Sequence, residues 1–169
     1  MKIKYLRAGI TFLLGYALVT WIAIGTLFLL RAIFNLPSWE DQGIPMMQDQ
    51  AYKLSEKLHP FNNLVIWPFM AAIYFRKVES LRLRNALNLG IHWTVAAILV
   101  DFVGFVLIQH PFSVSFKEFY FDYQPWISLI YLAILFGPML YYWFRIIRKK
   151  SGRGNDFGNA GRAKGKTAA

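Results

Sequence analysis

One acidic residue lies inside a long apolar stretch of the chain, and it is the first candidate for chemistry. Asp101 is the only Asp, Glu, Lys or Arg between Arg84 and Lys117. An Asp near the centre of a membrane helix costs about 2.5–3.5 kcal/mol and usually faces other helices or a cavity rather than lipid. We therefore predict a buried polar site at Asp101, whose carboxyl group is protonated, paired with a cation, or used to bind one.

Arg31 is the candidate partner for this carboxyl group. It ends the first apolar stretch, and its long side chain could extend towards the bilayer core. Two interpretations stay open: a structural contact of Asp101 with Arg31 or with local hydrogen-bond partners, and a functional carboxylate. Thr94 and His92 belong to the same polar set, although His92, nine residues before Asp101, faces the opposite side of a helix. We expect His92 to hydrogen bond to a neighbouring helix.

A second candidate site combines two histidines with two carboxylates. His59 and His110 each begin the tripeptide HPF, and Glu118 and Asp122 follow the second copy. Imidazole and carboxylate groups can bind a divalent metal, and two histidines from facing helices can ligate haem iron. No closely spaced His-x-x-x-His or His-Glu motif supports such a site. We therefore predict no cofactor, with a metal or haem b as the alternative.

Several classes of site are missing from the sequence. The chain has no cysteine, which excludes disulfides and thiolate metal ligands. It shows no nucleophile motif, no Gly-rich phosphate loop, no metalloprotease signature and no pair of carboxylates within an apolar stretch. The sequence therefore favours a protein that is not an enzyme.

The elements that position these residues are predicted to be membrane helices. The chain is 56% hydrophobic and 18% aromatic, and its apolar residues come in blocks. A helix needs about 20 apolar residues to cross a bilayer. We predict an all-α integral membrane protein with four transmembrane helices, at about 8–30, 59–75, 86–109 and 125–144. The second span is short and contains Pro60 and Pro68, so a buried or re-entrant segment is the alternative there.

The distribution of basic residues predicts the orientation. Fifteen of the 19 Lys and Arg residues lie in the N-terminus, the segment 76–84 and the C-terminal tail, and four lie in the two other connecting segments. Because basic residues mark the cytoplasmic side, both termini should be cytoplasmic. We expect a multi-pass protein of a bacterial plasma membrane, and the net charge of +10 then mostly reflects topology.

Both outer segments are predicted to carry short helices at the membrane surface. Apolar residues recur with helical spacing in the first segment, at Met47, Ala51, Leu54 and Leu58. In the second segment, Ser115 and Glu118 have the spacing of a capping box. Four aromatic residues share one face there: Phe112, Phe116, Phe119 and Tyr123. This face is interpreted as an aromatic belt, with a ligand platform as the alternative.

Small residues predict where the helices pack. Asp101 lies on a stripe of small or polar residues that comprises Gly90, Thr94, Ala97 and Gly104. Small residues let membrane helices approach closely, and similar steps occur at Thr11 and Gly15 and at Ala133 and Gly137. Pro68 and Pro138 fall inside two spans, where each removes a helical hydrogen bond and predicts a kink.

Two regions differ in composition. Residues 1–147 form the predicted transmembrane domain, and residues 148–169 form a basic, Gly-rich tail. This composition predicts a disordered cytoplasmic tail that binds anionic lipid rather than nucleic acid.

Three functions are consistent with these features. The first is a non-enzymatic accessory protein or subunit of a membrane complex, with a partner protein or a second copy of the chain as its partner. The second is a small proton- or cation-coupled transporter or channel that uses Asp101. The third is a metal or haem protein that uses His59 and His110 on the outer face.

Overall fold

The computed structural model describes residues 4–78, 81–108 and 113–164, with side chains described as far as Lys149. Within these ranges the secondary structure is helical and contains no strand. The long helices are α1 (Tyr5–Phe34), α3 (Gln50–Phe75), α4 (Leu83–Asp101) and α5 (Trp126–Lys164). The short elements are α2 (Trp39–Gln42), a 3₁₀ turn (Met46–Gln48) and two π-helical segments (Phe102–Leu107 and Glu118–Asp122).

Among the described residues, three helices are long and apolar enough to cross a membrane. They are Tyr5–Phe34, Leu83–Leu107 and Trp126–Lys149, which correspond to the predicted spans at 8–30, 86–109 and 125–144. Their outward surfaces are rich in large apolar side chains, such as Leu6, Trp21 and Leu99. Apolar surface of this extent is typical of a protein that contacts a membrane.

The fourth long helix, α3, differs from the prediction in its length. It runs without a break from Gln50 to Phe75, so the expected surface helix and the second span are one helix. The backbone N–H of Tyr52 donates a 2.7 Å hydrogen bond to the Asp49 side chain, which fixes the start of this helix. Its buried face also differs, since Ala51 and Ser55 are buried whereas Leu58 is 41% exposed.

The hydropathy of α3 is lower than that of the three candidate membrane spans, and the position of α3 explains this difference. It packs against both α1 and α5, and its polar residues Ser55 and Asn63 are buried against other helices. The side of a helix that packs against other helices can carry such residues because hydrogen bonds within the protein satisfy them. Hydropathy alone therefore does not identify α3 as a candidate membrane span.

Glycines mark the close approaches between helices. A Cβ added to Gly137 of α5 would lie 2.5 Å from the Cβ of Trp67 in α3, and one added to Gly15 of α1 would lie 2.9 Å from Met70 Cγ. A Cβ on Gly90 of α4 would overlap the Leu135 carbonyl oxygen of α5. Gly104 differs, because a Cβ there would meet nothing within 4 Å. The predicted packing role therefore fits three of these glycines and does not fit Gly104.

The other predicted packing residues lie in the interior. Their exposed fractions are 4% for Thr11, 0% for Ala97 and 6% for Ala133. The surrounding core is aromatic, with the ring centroids of Trp67 and Trp93 separated by 5.3 Å.

The ends of the helices meet in two groups. At one end, the Arg7 side chain donates to the Ile73 carbonyl at 2.7 Å, and the Arg145 side chain donates to the Val78 carbonyl at 2.6 Å. Cations stabilise the carbonyls at a helix C-terminus, so these contacts place the start of α1 and the distal part of α5 beside the end of α3. At the other end, Arg31 contacts Asp49. Consecutive long helices therefore run in opposite directions.

The backbone of α5 continues as a helix to Lys164, past the predicted end of span four at 144. Residues 151–164 include four glycines, each of which weakens a helix by about 1 kcal/mol relative to alanine. The domain boundary at 147 and the lipid-binding tail at 148–169 stay predictions, and residues 165–169 lie outside the described ranges.

Candidate functional site

The carboxyl group of Asp101 lies among helices rather than on the outer surface. Asp101 is the last residue of α4, directly before the π-helical segment Phe102–Leu107, and it is 7% exposed. Local π-helical turns inside α-helices occur frequently at functional sites. Here the change of helix type follows the one acidic residue of this apolar stretch.

Two tyrosines from two other helices hold this carboxyl group. The Tyr16 hydroxyl of α1 donates a short hydrogen bond to Oδ1 of Asp101. The Tyr131 hydroxyl of α5 donates to Oδ2 at 2.8 Å. A carboxylate has about four acceptor sites, so two phenol donors leave room for a further donor or a cation.

Arg31 does not contact Asp101, so the predicted pairing of these two residues is wrong. Its guanidinium lies 3.2 Å from Oδ2 of Asp49 and 4.2 Å from the centroid of the Trp39 ring. Asp49 precedes α3 and lies beside the end of α1, so it reaches the guanidinium where Asp101 does not. The contact joins the end of α1 to the start of α3.

Asp101 consequently has no cationic partner in the part of the chain that the structure describes. The ion pairs there are Arg31 with Asp49 and Lys117 with Asp122. A buried carboxylate without a cation is costly, since burial removes its hydration. A proton or a bound cation would complete the site.

Two residues of the predicted polar set lie away from Asp101. The Thr94 hydroxyl donates to the Gly90 carbonyl of its own helix at 2.9 Å. Nδ1 of His92 lies 2.6 Å from the Asn88 carbonyl, also in α4, and its exposed ring contacts that of Tyr5. The expected hydrogen bond from His92 to a neighbouring helix is therefore replaced by one within α4.

A cavity of about 300 Å³ opens beside the Asp101 carboxyl group. Its walls are mostly apolar and come from α1, α3, α5, the π-helical segment after Asp101 and the two outer connecting segments. Along α3 it extends from Tyr52 to Trp67, which is about 22 Å of helix at 1.5 Å per residue. An apolar cavity with few polar groups is typical of a small-molecule site.

The other end of the cavity carries neutral polar groups. Nδ1 of His59 lies 3.0 Å from the Tyr123 hydroxyl, and Nε2 lies 3.5 Å from Oγ of Ser55. Burial raises the pKa of Tyr123, so its phenol stays protonated at neutral pH. The cavity thus has an acidic end at Asp101 and an uncharged hydrogen-bonding end at His59.

The residues of the possible metal site make other contacts. Asp122 pairs with Lys117 at 3.2 Å, and the Glu118 carboxylate accepts from the Ser115 backbone at 2.8 Å. Among the described residues, no group of three His, Cys, Asp or Glu side chains is placed to hold a metal ion. His110 lies outside the described residues, so the set that contains it stays a prediction.

The aromatic segment before α5 faces the cavity. The Ser115–Glu118 capping box is confirmed, since the Glu118 N–H also donates to Ser115 Oγ at 3.2 Å. Phe119 stacks on Phe105 with a centroid distance of 5.7 Å, and both rings line the cavity. Phe112 lies outside the described residues, and Phe116 is exposed. Of the four predicted aromatic residues, Phe119 and Tyr123 line the cavity, and the ligand platform stays a prediction.

The two prolines predicted to kink their helices lie close to the same cavity. A Cβ on Gly137, next to Pro138, would lie 3.2 Å from the Pro68 nitrogen. Both prolines stand inside continuous helices. Each leaves the carbonyl four residues earlier without its helical N–H donor, on Leu64 and Ile134.

Sequence reasoning missed Tyr16, Tyr131 and Asp49. Tyr16 and Tyr131 lie in apolar spans, where counting charges does not detect a hydroxyl group. The sequence does contain one signal for the two tyrosines, because each lies inside an apolar span. A buried phenol needs a hydrogen-bond partner, so a tyrosine in such a span is a candidate partner for Asp101.

No family model, curated protein or solved structure matches this chain.

Proposed function

We propose that this protein is a small multi-pass transporter that binds a proton or a cation at Asp101 and carries it across a bacterial plasma membrane. The observation that carries this proposal is the pair of hydrogen bonds from Tyr16 and Tyr131 to a buried Asp101 beside a cavity. The described residues supply no cation to this carboxyl group. The transported species would supply the missing positive charge.

The proposed topology has four crossings, with α3 as the fourth and both termini in the cytoplasm. A helix of the length of α3, 26 residues, spans about 39 Å. Its two ends meet the opposite ends of α1, through Asp49 with Arg31 and through Ile73 with Arg7. The excess of basic residues near the N-terminus, the 76–84 segment and the tail supports a cytoplasmic location for that end.

Transport also requires that the site change its access from one side to the other. Near the cavity, Pro68 and Pro138 each remove a helical hydrogen bond, and Gly137 packs against the backbone at Trp67. Carbonyls that lose their helical donor inside a membrane helix are tolerated where they face protein or a water-lined cavity. The contact between α3 and α5 is therefore the proposed place of movement.

Flux into proteoliposomes tests this proposal. The initial rates of entry of protons, of a labelled alkali cation and of a labelled organic cation would be measured under an imposed membrane potential. We expect the wild-type rate of the transported ion to exceed that of protein-free liposomes. Asp101→Asn should abolish the excess, whereas Glu40→Gln, which removes an exposed acid outside the cavity, should retain it.

A wild-type rate equal to that of protein-free liposomes would contradict transport. Full activity in Asp101→Asn would show that any flux does not use this carboxyl group. Reconstituted amounts and orientation would be matched between variants, so that a difference in rate reflects the protein itself.

The accessory-subunit function is the second candidate. Gly9 and Gly25 of α1 are both exposed, and a Cβ added to either would meet nothing within 4 Å. Small residues on an exposed helix surface allow a partner helix to approach closely. Co-purification in mild detergent tests this function: a stoichiometric membrane-protein partner supports it, and a chain that purifies alone as a monomer contradicts it.

The third candidate, a metal or haem site at His59 and His110, stays a prediction. It requires that His59 exchange its contacts with Ser55 and Tyr123 for a metal ion. A Soret band or a tightly held metal in the purified protein would support it, and loss of that signal in His59→Ala would assign it.

A further inference from the structure

We infer that the cation bound at Asp101 is an organic ammonium ion with an apolar body, rather than an inorganic ion. This inference rests on the proposed function, since it names the class of cation that the same site takes.

The composition of the site near Asp101 argues against a small inorganic cation. Hard cations such as Ca²⁺ or Mg²⁺ need about six to eight oxygen ligands or retained waters. The polar side chains on the Asp101 carboxyl group are the two phenols of Tyr16 and Tyr131. The neighbouring cavity walls include Phe105, Ile130 and Ile134, which offer no ligand to a metal ion.

The same composition suits a protonated amine. Its N–H groups can donate to the lone pairs of the carboxylate that the two phenols leave free. Aromatic rings at this end of the cavity, among them Tyr16, Trp67 and Phe105, are the groups that attract an ammonium ion through their faces. Charge and aromatic surface thus occur together at one end of the cavity.

The size and shape of the cavity indicate that the ligand has an apolar body. Its volume of about 300 Å³ is at the lower end of the range for drug-sized ligands, and far exceeds the space that one bare ion fills. It continues away from Asp101 between Val19 of α1 and Ile127 of α5, towards the outer connecting segments. An apolar group attached to the amine would bury its surface along this path.

The far end of the cavity limits what the ligand can carry. His59 contacts both Ser55 and Tyr123 there. This end can accept a neutral hydrogen-bonding group of the ligand. The inferred substrate class is therefore an elongated amine.

Equilibrium dialysis with the full chain in nanodiscs of zwitterionic lipid tests this inference. The probes are 4-phenylbutylamine and its neutral counterpart 4-phenylbutan-1-ol, with binding to empty nanodiscs subtracted. We expect the amine to bind at least roughly tenfold more tightly than the alcohol, because only the amine carries the charge that Asp101 lacks. Asp101→Asn should remove this difference, while Asp101→Glu and the exposed control Glu40→Gln should keep it.

A second variant tests the role of the cavity without changing the carboxyl group of Asp101. Ala23 of α1 lines the cavity, so Ala23→Leu should fill part of it and weaken amine binding. The amine should also resist competition by Na⁺, K⁺ and Mg²⁺ at matched ionic strength. Equal binding of amine and alcohol to the wild type, or displacement by an inorganic cation, would overturn the inference.

The two proposals fail in different ways. Asp101-dependent proton flux without preference for the amine would leave the transport function standing and remove the amine as its substrate. Tight, Asp101-dependent amine binding without any flux would support the ligand class and remove transport.

Discussion

Tyr131 of α5 donates a 2.8 Å hydrogen bond to the carboxyl group of Asp101 in α4. Because Tyr16 of α1 donates to the other oxygen, this one carboxyl group connects three helices. Asp101 is therefore both a structural contact and the candidate binding group. A loss of stability in Tyr131→Phe would reveal the structural role, and a ligand-dependent change of the Asp101 carboxyl group would reveal the binding role.

The Tyr131→Phe variant should be less stable than the wild type. It removes a donor from a buried carboxyl group, and an unsatisfied buried acceptor costs about 1–3 kcal/mol. Thermal unfolding in detergent measures the change. Tyr5→Phe is the control because Tyr5 is 72% exposed, and it should leave the midpoint unchanged. Equal midpoints for both variants would show that the Tyr131 hydrogen bond does not stabilise the fold.

The Arg31→Met variant should be strongly destabilised. It leaves Asp49, which is 1% exposed, as a buried charge without a cationic partner, and breaking a buried pair costs about 3–5 kcal/mol. Lys117→Met removes a cation from the exposed pair with Asp122 and should cost less than about 1 kcal/mol. Denaturant unfolding of both variants checks this difference. Equal losses would mean that the Arg31 contact behaves as a surface ion pair.

The Gly137→Ala variant should also destabilise the protein, through steric overlap. The added Cβ would lie 2.5 Å from Trp67 Cβ and 3.0 Å from the Trp67 backbone carbon, and such overpacking costs about 1–3 kcal/mol. Gly104→Ala is the matched control, since its added Cβ meets nothing within 4 Å. Thermal unfolding should show a loss for Gly137→Ala and no loss for Gly104→Ala. The reverse order would contradict the described contact between α3 and α5.

The capping box before the second π-helical segment should show a pH dependence. Hydrogen bonds from the side chain and backbone of Ser115 lower the pKa of the Glu118 carboxyl group. A lowered pKa means that the cap stabilises the segment at neutral pH and that this contribution is lost as the pH falls through the lowered value. NMR titration of labelled Glu should show this low pKa, and Ser115→Ala should raise it towards the ordinary value. An identical titration in both proteins would contradict the cap.

Part of the fold was accessible from the sequence because hydropathy and helix length are direct physical signals. The apolar stretches around α1, α4 and α5 are long enough to cross a membrane, and the structure contains helices there. The start and length of α3 could not be predicted from these signals. Its buried Ser55 and Asn63 lower its hydropathy, and Pro60 resembles a helix start although the helix begins at Gln50.

Of the residues in the candidate site, only the acidic one, Asp101, could be predicted from the sequence. Asp101 is recognisable because it is the one charge in an apolar stretch, but its partners depend on which helices pack together. Asp49 lies in a connecting segment between two predicted spans, and its contact with Arg31 depends on how α1 and α3 pack. Gly104 was assigned to the packing stripe on the assumption of a regular α-helix. The π-helical turns after Asp101 change that register.

Infrared difference spectroscopy of the Asp101 carboxyl group tests most directly whether this group exchanges a proton for a bound cation. The band would be assigned by its loss in Asp101→Asn, with the protein in lipid. We expect a protonated carboxyl band without ligand, and its replacement by carboxylate bands when the cation binds or the pH rises. An Asp101 spectrum that no cation and no change of pH alters would contradict a binding role and leave this residue with a structural one.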